Sequence, residues 1–255
     1  MKILAVGDIV GENGLEKLKK ELKSIQEEEK IDFTVVNAEN CSGGSGLTKK
    51  DYDELCKLPI DVMTMGNHTW GKADIYKFIN NNSRLIRPAN YSKGVPGSGY
   101  TIIKKNGKKF LIINLIGRTG MQVLSDSPFA AVDRILSKEQ ADYIIVDFHA
   151  EATAEKLAMA YYLDGRVNVL FGTHTHVQTA DEMIMEKGTG YITDLGMIGP
   201  SKSIIGMDVK ASLKRFLTSI PERYKLAEGD CKLNSVVFEY DDEKCRIKNI
   251  YRVNR

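Results

Sequence analysis

The chain has 255 residues, of which 42% are hydrophobic and 27% are charged, and its formal net charge is +2. This length and hydrophobic content predict one large α/β domain, spanning residues 1–255, with a substantial core. The near-neutral charge excludes a strong field for nucleic acid, and no run of about 18 apolar residues is present to cross a membrane.

Short apolar runs alternate with helical patterns in the first half of the chain. The predicted strands lie at residues 3–6, 33–36 and 61–65. The predicted helices lie at residues 15–30, 52–58 and 74–79. This alternation predicts a largely parallel sheet that is covered on both faces.

A hairpin signal interrupts this alternation in the middle of the chain. Asn106-Gly107 separates two apolar runs at residues 100–104 and 110–114. Further strands and helices follow at residues 129–140 (helix), 143–148 (strand), 154–163 (helix), 167–171 (strand), 209–217 (basic amphipathic stretch), 235–240 (strand) and 246–253 (strand). Two β-rich sets with helices outside each predict two sheets packed face to face.

The first apolar run and the cysteine spacing indicate the cellular compartment. The first apolar run stops at Asp8 without the small-residue cleavage site of a signal peptide. The four cysteines share no CxxC spacing, which favours reduced thiols over a disulfide framework or a zinc knuckle. We therefore expect a cytoplasmic protein.

All four histidines of the chain follow the end of an apolar run. They are His68, His149, His174 and His176. In open α/β sheets, ligands bind beyond the carboxyl ends of the parallel strands. A single histidine in such a place is more often structural, but four of four favour a common site.

Acidic and amide side chains end the first three predicted strands in the same way. Together with three of the histidines they give seven donor residues: Asp8, Glu39, Asn40, Asn67, His149, His174 and His176. These oxygen and nitrogen donors are enough for two metal sites if one carboxylate bridges. The donor set favours iron or manganese, then zinc, over magnesium, as divalent or mixed-valence ions.

The motifs of this edge resemble those of the calcineurin-like metallophosphoesterases. The resembling segments are Gly7-Asp8, Glu39-Asn40, Gly66-Asn67-His68, His149 and Gly172-Thr173-His174-Thr175-His176. More narrowly, Asn37-Ala38-Glu39-Asn40 and Asp147-Phe148-His149-Ala150-Glu151 resemble the bacterial YmdB-like 2',3'-cyclic-nucleotide phosphodiesterases. The resemblance implies a four-layer α/β/β/α sandwich with two mixed sheets, in agreement with the predicted elements.

Two departures from the broad superfamily are shared by the YmdB-like subgroup. The usual Asp-x-His reads Asp8-Ile9-Val10, and the segment after Glu39-Asn40 lacks the usual arginine. The subgroup pattern implies that Asn40 takes the place of the lost histidine. It implies one metal held by Asp8, Glu39, Asn40 and His176, and a second held by Glu39, Asn67, His149 and His174, with Glu39 bridging.

The resemblance also implies a reaction. It is hydrolysis of a small phosphoester, a 2',3'-cyclic nucleotide giving a nucleoside 3'-phosphate, by hydroxide held between the two metals. His68 is expected to stabilise or protonate the leaving oxygen, or alternatively to orient Asn67. A phosphomonoesterase and a metal-binding regulatory scaffold with incidental hydrolysis stay open, as does a homo-oligomer.

Other enzyme classes are disfavoured by their missing motifs. Gly7, Gly11 and Gly14 do not make the GxGxxG of a dinucleotide-binding turn, and no GxSxG supports a serine hydrolase. The expected partner is thus a small phosphoester, with no membrane and no strong nucleic-acid patch.

Overall fold

The computed structural model describes residues 1–223 and 225–255. Within these ranges the strands are β1 (Lys2–Val6), β2 (Asp8–Ile9), β3 (Phe33–Asn37), β4 (Val62–Thr64), β5 (Leu85–Ile86), β6 (Tyr100–Lys105), β7 (Lys108–Ile116), β8 (Tyr143–His149), β9 (Val169–Thr173), β10 (Met183–Ile184), β11 (Gly190–Ile192), β12 (Met197–Pro200), β13 (Cys231–Asp241) and β14 (Arg246–Asn254). The α-helices are α1 (Gly11–Glu29), α2 (Lys49–Cys56), α3 (Pro128–Leu136), α4 (Thr153–Leu163) and α5 (Val209–Thr218).

The strands form two mixed sheets. The first has the order β2-β12-β13-β1-β3-β4-β5, with β14 paired to β13, and β1, β3, β4 and β5 run parallel. The second has the order β10-β11-β9-β8-β7-β6, with β7, β8, β9 and β11 parallel. In each sheet, the parallel strands are the ones that carry the predicted donor residues at or just beyond their ends.

Three apolar clusters separate four layers. The middle cluster joins the inner faces of both sheets, for example Phe33 of β3 stacked on Phe110 of β7 at 4.2 Å between ring centroids. The outer face of the first sheet packs on α1 and α2, and that of the second packs on α3 and α4. The predicted α/β/β/α sandwich with two mixed sheets is confirmed.

Local sequence explains where several elements begin and turn. Leu15, Leu18 and Leu22 recur at helical spacing and form part of the buried face of α1. Thr48 caps α2 by accepting a hydrogen bond from the backbone N–H of Asp51. The predicted hairpin is confirmed, with Asn106 and Gly107 at φ of 51° and 75°, the two positive values that a type I′ turn needs.

The helix predicted at residues 74–79 is wrong. The segment forms two short 3₁₀ turns, Ala73–Lys77 and Ile79–Asn81. The neighbouring asparagines bond away from a helical ladder, because Asn80 accepts from the backbone of Gly97 and Asn82 accepts from Tyr52. So short a segment has too few backbone hydrogen bonds to sustain an α-helix against these alternatives.

Other predicted bounds shift by a few residues. The helix predicted at 129–140 ends at Leu136, and the strand predicted at 167–171 begins at Val169. The two-residue strands β2, β5 and β10 are too short to show a periodicity, and none was predicted. In the described part of the chain, no helix is both long enough and apolar enough to span a bilayer.

Candidate metal centre

Both sheets bring the carboxyl ends of their central parallel strands to one place. In the first sheet, Asn37 at the end of β3 is in register with Thr64 at the end of β4. In the second sheet, His149 at the end of β8 is in register with Thr173 at the end of β9. The residues after these ends therefore face a shared cleft of about 590 Å³.

A fully buried carboxylate, Asp147, ties the two sheets together beneath this cleft. Its Oδ2 accepts from Thr64 Oγ1 at 2.5 Å and from Asn37 Nδ2 at 3.2 Å, both in the first sheet. Its Oδ1 accepts from Thr173 Oγ1 at 2.7 Å in the second sheet. Asp147 therefore fixes the spacing of the strand ends that carry the predicted donors.

Four predicted donors meet around one ring nitrogen. His149 Nε2 lies 3.0 Å from Glu39 Oε1, 2.8 Å from Asn67 Oδ1 and 3.1 Å from His174 Nδ1. One donor atom from each of Glu39, His149 and His174 lies within 4.8 Å of the others. Oxygen and nitrogen lone pairs at this density repel one another unless a proton or a cation lies between them.

The hydrogen bonds on the far side of His149 fix its tautomer. The Thr173 hydroxyl gives its hydrogen to Asp147, so it accepts from His149 Nδ1, which lies 2.9 Å away. Nδ1 therefore carries a proton, and in the neutral ring Nε2 presents its lone pair to Glu39, Asn67 and His174. A series of hydrogen bonds from His149 through Thr173 to Asp147 is the kind of support that orients a metal-binding imidazole.

Charges in this group shift one another strongly. Burial opposes the charged imidazolium of His149, but the carboxylates of Glu39 and Asp8 outweigh it and raise its pKa to about 9. Burial likewise opposes ionisation of Glu39, yet contact with His149 lowers its pKa to about 2. Burial and the charge on His149 lower the pKa of His174 to about 3. The cluster therefore attracts positive charge, but it favours only one charged imidazole, that of His149, beside a neutral His174.

The other three predicted donors form a second group beside Glu39. Asn40 Nδ2 lies 3.0 Å from His176 Nε2 and donates to Glu39 Oε1 at 3.3 Å, and Asp8 Oδ1 lies 4.0 Å from His176 Nε2. His176 Nδ1 lies 2.9 Å from the backbone oxygen of Ile205, to which it donates, so Nε2 carries the lone pair.

Two buried oxygens in this second group have no hydrogen-bond partner among the described residues. They are Asp8 Oδ1 and Asn40 Oδ1. Burial raises the pKa of Asp8 well above its usual value, with the charge on Glu39 adding to the effect. An unpaired buried oxygen is costly, and a cation bound by both oxygens and by His176 removes that cost. The residues present therefore fit a metal in both groups.

The backbone around the donors passes close to other side chains and includes residues with positive φ. A Cβ on Gly66 would overlap Glu39 Oε2 and His149 Nε2, so only glycine lets this loop pass. Two residues further on, the His68 backbone N–H donates to Glu39 Oε2 at 2.9 Å. His174 and His176 have φ of 104° and 64°, a region that residues other than glycine rarely occupy.

His68 lines the cleft without contacting the donor atoms of the neighbouring histidines through its ring. Its Nδ1 lies 3.2 Å from Ser45 Oγ, and its side chain is half-buried. The ring of His68 contacts Ser45, and both of the roles expected for His68 stay predictions.

Sequence reasoning missed the residues that support these donors. Asp147 and Thr173 lie inside motifs that carried the family resemblance, and the period-two spacing of Asp147 and His149 puts both on one face of β8. Lys156, which pairs with Asp194 at 2.7 Å beneath the histidine loop, gave no signal because it lies in an ordinary helical pattern.

Comparison with known proteins gives a consistent result. A family model described as "YmdB-like protein" matches residues 4–253. A 2',3'-cyclic-nucleotide 2'-phosphodiesterase of Bacillus subtilis (strain 168) is 46% identical over 99% of this chain and 96% of its own length.

Two solved structures have the same fold along nearly their whole lengths. A hypothetical protein from Thermus thermophilus is 38% identical, with a TM-score of 0.94 over 100% of this chain and 99% of its own. A structure described as a novel phosphatase from Mycoplasma pneumoniae is 34% identical, with a TM-score of 0.95 over 100% of this chain and 93% of its own.

Proposed function

The chain belongs to the YmdB-like protein family, and on that basis we propose that it is a two-metal phosphodiesterase of 2',3'-cyclic nucleotides. The product would be the nucleoside 3'-phosphate, because the bond from phosphorus to the 2' oxygen breaks. The observation that carries the proposal is the pair of orphaned oxygens, Asp8 Oδ1 and Asn40 Oδ1, beside the lone-pair cluster around His149 Nε2.

The seven donor side chains divide into two sets that share one carboxylate. We assign Asp8, Glu39, Asn40 and His176 to one ion, and Glu39, Asn67, His149 and His174 to the other. This mixture of nitrogen and oxygen donors suits iron or manganese, with zinc next. When bound, such a pair supplies Lewis-acid charge for the phosphate and an activated water.

The chain's own residues then have distinct tasks. Asp147 and Thr173 hold His149 in the tautomer that turns its lone pair inward. The N–H of His68 fixes one oxygen of Glu39. The ring of His68 uses Nδ1 toward Ser45, which leaves Nε2 to give a proton to the departing 2' oxygen. General-acid assistance of this kind contributes about 10²–10⁴-fold to the rate.

Three single substitutions test this division of roles. His68→Ala is expected to keep the wild-type metal content by elemental analysis, while kcat for a 2',3'-cyclic nucleotide falls about 10²–10⁴-fold. Glu39→Gln and His174→Ala are expected to lose metal and activity together, because each removes a donor from the cluster.

Three outcomes would contradict the proposal in different ways. Release of metal from His68→Ala would assign that histidine to the ligand set. Faster turnover of a phosphomonoester than of the cyclic diester would favour the phosphatase alternative. A wild-type protein that is loaded with manganese or iron and hydrolyses neither substrate would favour the scaffold alternative.

A further inference from the structure

The cleft above the candidate metal centre has two unlike walls. One wall is formed by polar residues and glycines, including Gly43, Ser45 and Glu151. A further wall is apolar and consists of Ile205, Met207 and Leu226. The proposed metal chemistry concerns the donor residues of the cleft and gives no task to these three apolar side chains.

Ile205 is held in a conformation that its side chain disfavours. Its φ is 48°, in the left-handed region that a β-branched residue rarely adopts, and its side chain is 48% exposed. Backbone strain of this kind persists where the surrounding structure imposes it, often at a ligand site. Here the strained residue turns its carbonyl to His176 Nδ1 at 2.9 Å, which places the apolar wall directly beside the metal donors.

Met207 and Leu226 are fixed rather than loose surface side chains. Met207 forms isolated antiparallel bridges with Ile204 and with Leu226. Leu226 packs closely on the loop that contains Gly44, because a Cβ on Gly44 would lie 2.8 Å from its Cδ2. The wall is therefore organised before any ligand binds, although its side chains are only partly buried.

We propose that Ile205, Met207 and Leu226 form the subsite for the nucleobase of the substrate. The inference rests on the proposed function, in which the ribose cyclic phosphate lies over the donor cluster. The base is attached to that ribose, carries no charge at neutral pH and offers a flat apolar face. Aliphatic side chains pack on this face and make no hydrogen bonds to the edge of the base. The subsite is therefore expected to accept all four bases.

The test compares two substrates that differ only in the base. One is adenosine 2',3'-cyclic phosphate, and the other is the 2',3'-cyclic phosphate of 1-O-methyl ribofuranose, which lacks a base. For the wild type, kcat/KM is expected to be at least about tenfold higher for the nucleotide, the discrimination that a few apolar contacts supply. Met207→Ala and Leu226→Ala are expected to reduce this ratio about tenfold, chiefly by raising KM for the nucleotide.

The matched control is Leu217→Ala on α5. This leucine is 82% exposed and does not line the cleft, so its removal is expected to leave the substrate ratio unchanged. Met207→Gln keeps the length of the side chain and adds polarity, which retains the test if an alanine variant folds poorly. Equal metal content in all variants separates loss of the subsite from loss of the metal centre.

Several results would overturn the inference. A wild-type ratio near one, or variants that slow both substrates in parallel, would show that the wall does not contact the base. If the wild type hydrolyses both substrates with a ratio of kcat/KM near one, the proposed function is retained and the nucleobase subsite is excluded. A metal-loaded wild type that hydrolyses neither compound would overturn the proposed function and the subsite with it.

Discussion

A buried ion pair beneath the histidine loop gives a quantitative prediction about stability. Lys156 Nζ lies 2.7 Å from Asp194 Oδ2, and each side chain is 1% exposed. Asp194 also accepts from the backbone N–H of Thr175 at 3.1 Å and of Gly196 at 2.8 Å. The carboxylate therefore holds the backbone between His174 and His176, and the lysine balances its charge.

Replacing Lys156 with methionine keeps most of the aliphatic stem and removes the charge. Asp194 is then left as a buried carboxylate without its cation, and breaking such a pair costs about 3–5 kcal/mol in the free energy of unfolding. The double variant Lys156→Met/Asp194→Asn removes both charges but leaves one backbone N–H without its former acceptor. The free energy of unfolding of this double variant is expected to fall by about 1–3 kcal/mol. This loss is less than the sum of the losses of the single variants Lys156→Met and Asp194→Asn.

Urea denaturation in the presence of a chelator measures these differences without a contribution from bound metal. The matched control is Lys23→Met, since Lys23 lies 3.7 Å from Glu27 in an exposed pair and should lose less than about 1 kcal/mol. Two results would refute the view that this pair is shielded from water and energetically coupled. One is a loss below about 1 kcal/mol for Lys156→Met. The other is a loss in the double variant that equals the sum of the two single losses.

Three further variants or treatments probe the centre and the core. Gly66→Ala should abolish metal binding in elemental analysis while the far-ultraviolet circular dichroism stays native, because the new methyl overlaps Glu39 and His149; full metal occupancy would disprove the close approach. Thr173→Val removes the acceptor for His149 Nδ1, so metal affinity measured by chelator competition should fall about 10–100-fold; an unchanged affinity would deny the orienting role. Burial raises the pKa of Cys41, so its thiol should resist a thiol reagent at pH 8 until urea unfolds the chain, and fast labelling of the native protein would contradict its full burial.

Short-range patterns were sufficient to predict most of the architecture and the location of the centre. The apolar periodicity marks most strands and helices, and Asn106-Gly107 specifies its own turn because few residues tolerate two positive φ values in succession. The parallel arrangement follows from the βα alternation. Since parallel strands end at the same edge, the residues at or after the ends of β1, β3 and β4 had to converge in the first sheet, and those of β8 and β9 in the second.

Some predictions stay untested by the fold. That residues 1–255 form one domain and that the protein is cytoplasmic remain predictions, as do the individual ligand roles, and a homo-oligomer stays open. The helix predicted at residues 74–79 failed because asparagine side chains bond to distant segments, which a local pattern does not reveal.

By itself, the sequence determined which residue types reach the cleft, because strand periodicity and strand ends are properties of neighbouring residues. Only the tertiary structure decided which atoms face one another. The tautomer of His149 depends on Thr173, its register partner in the neighbouring strand β9, and the buried charge of Lys156 depends on Asp194, 38 residues away. Pairings of this kind arise from strand register and from packing between layers, which select partners that no local pattern specifies.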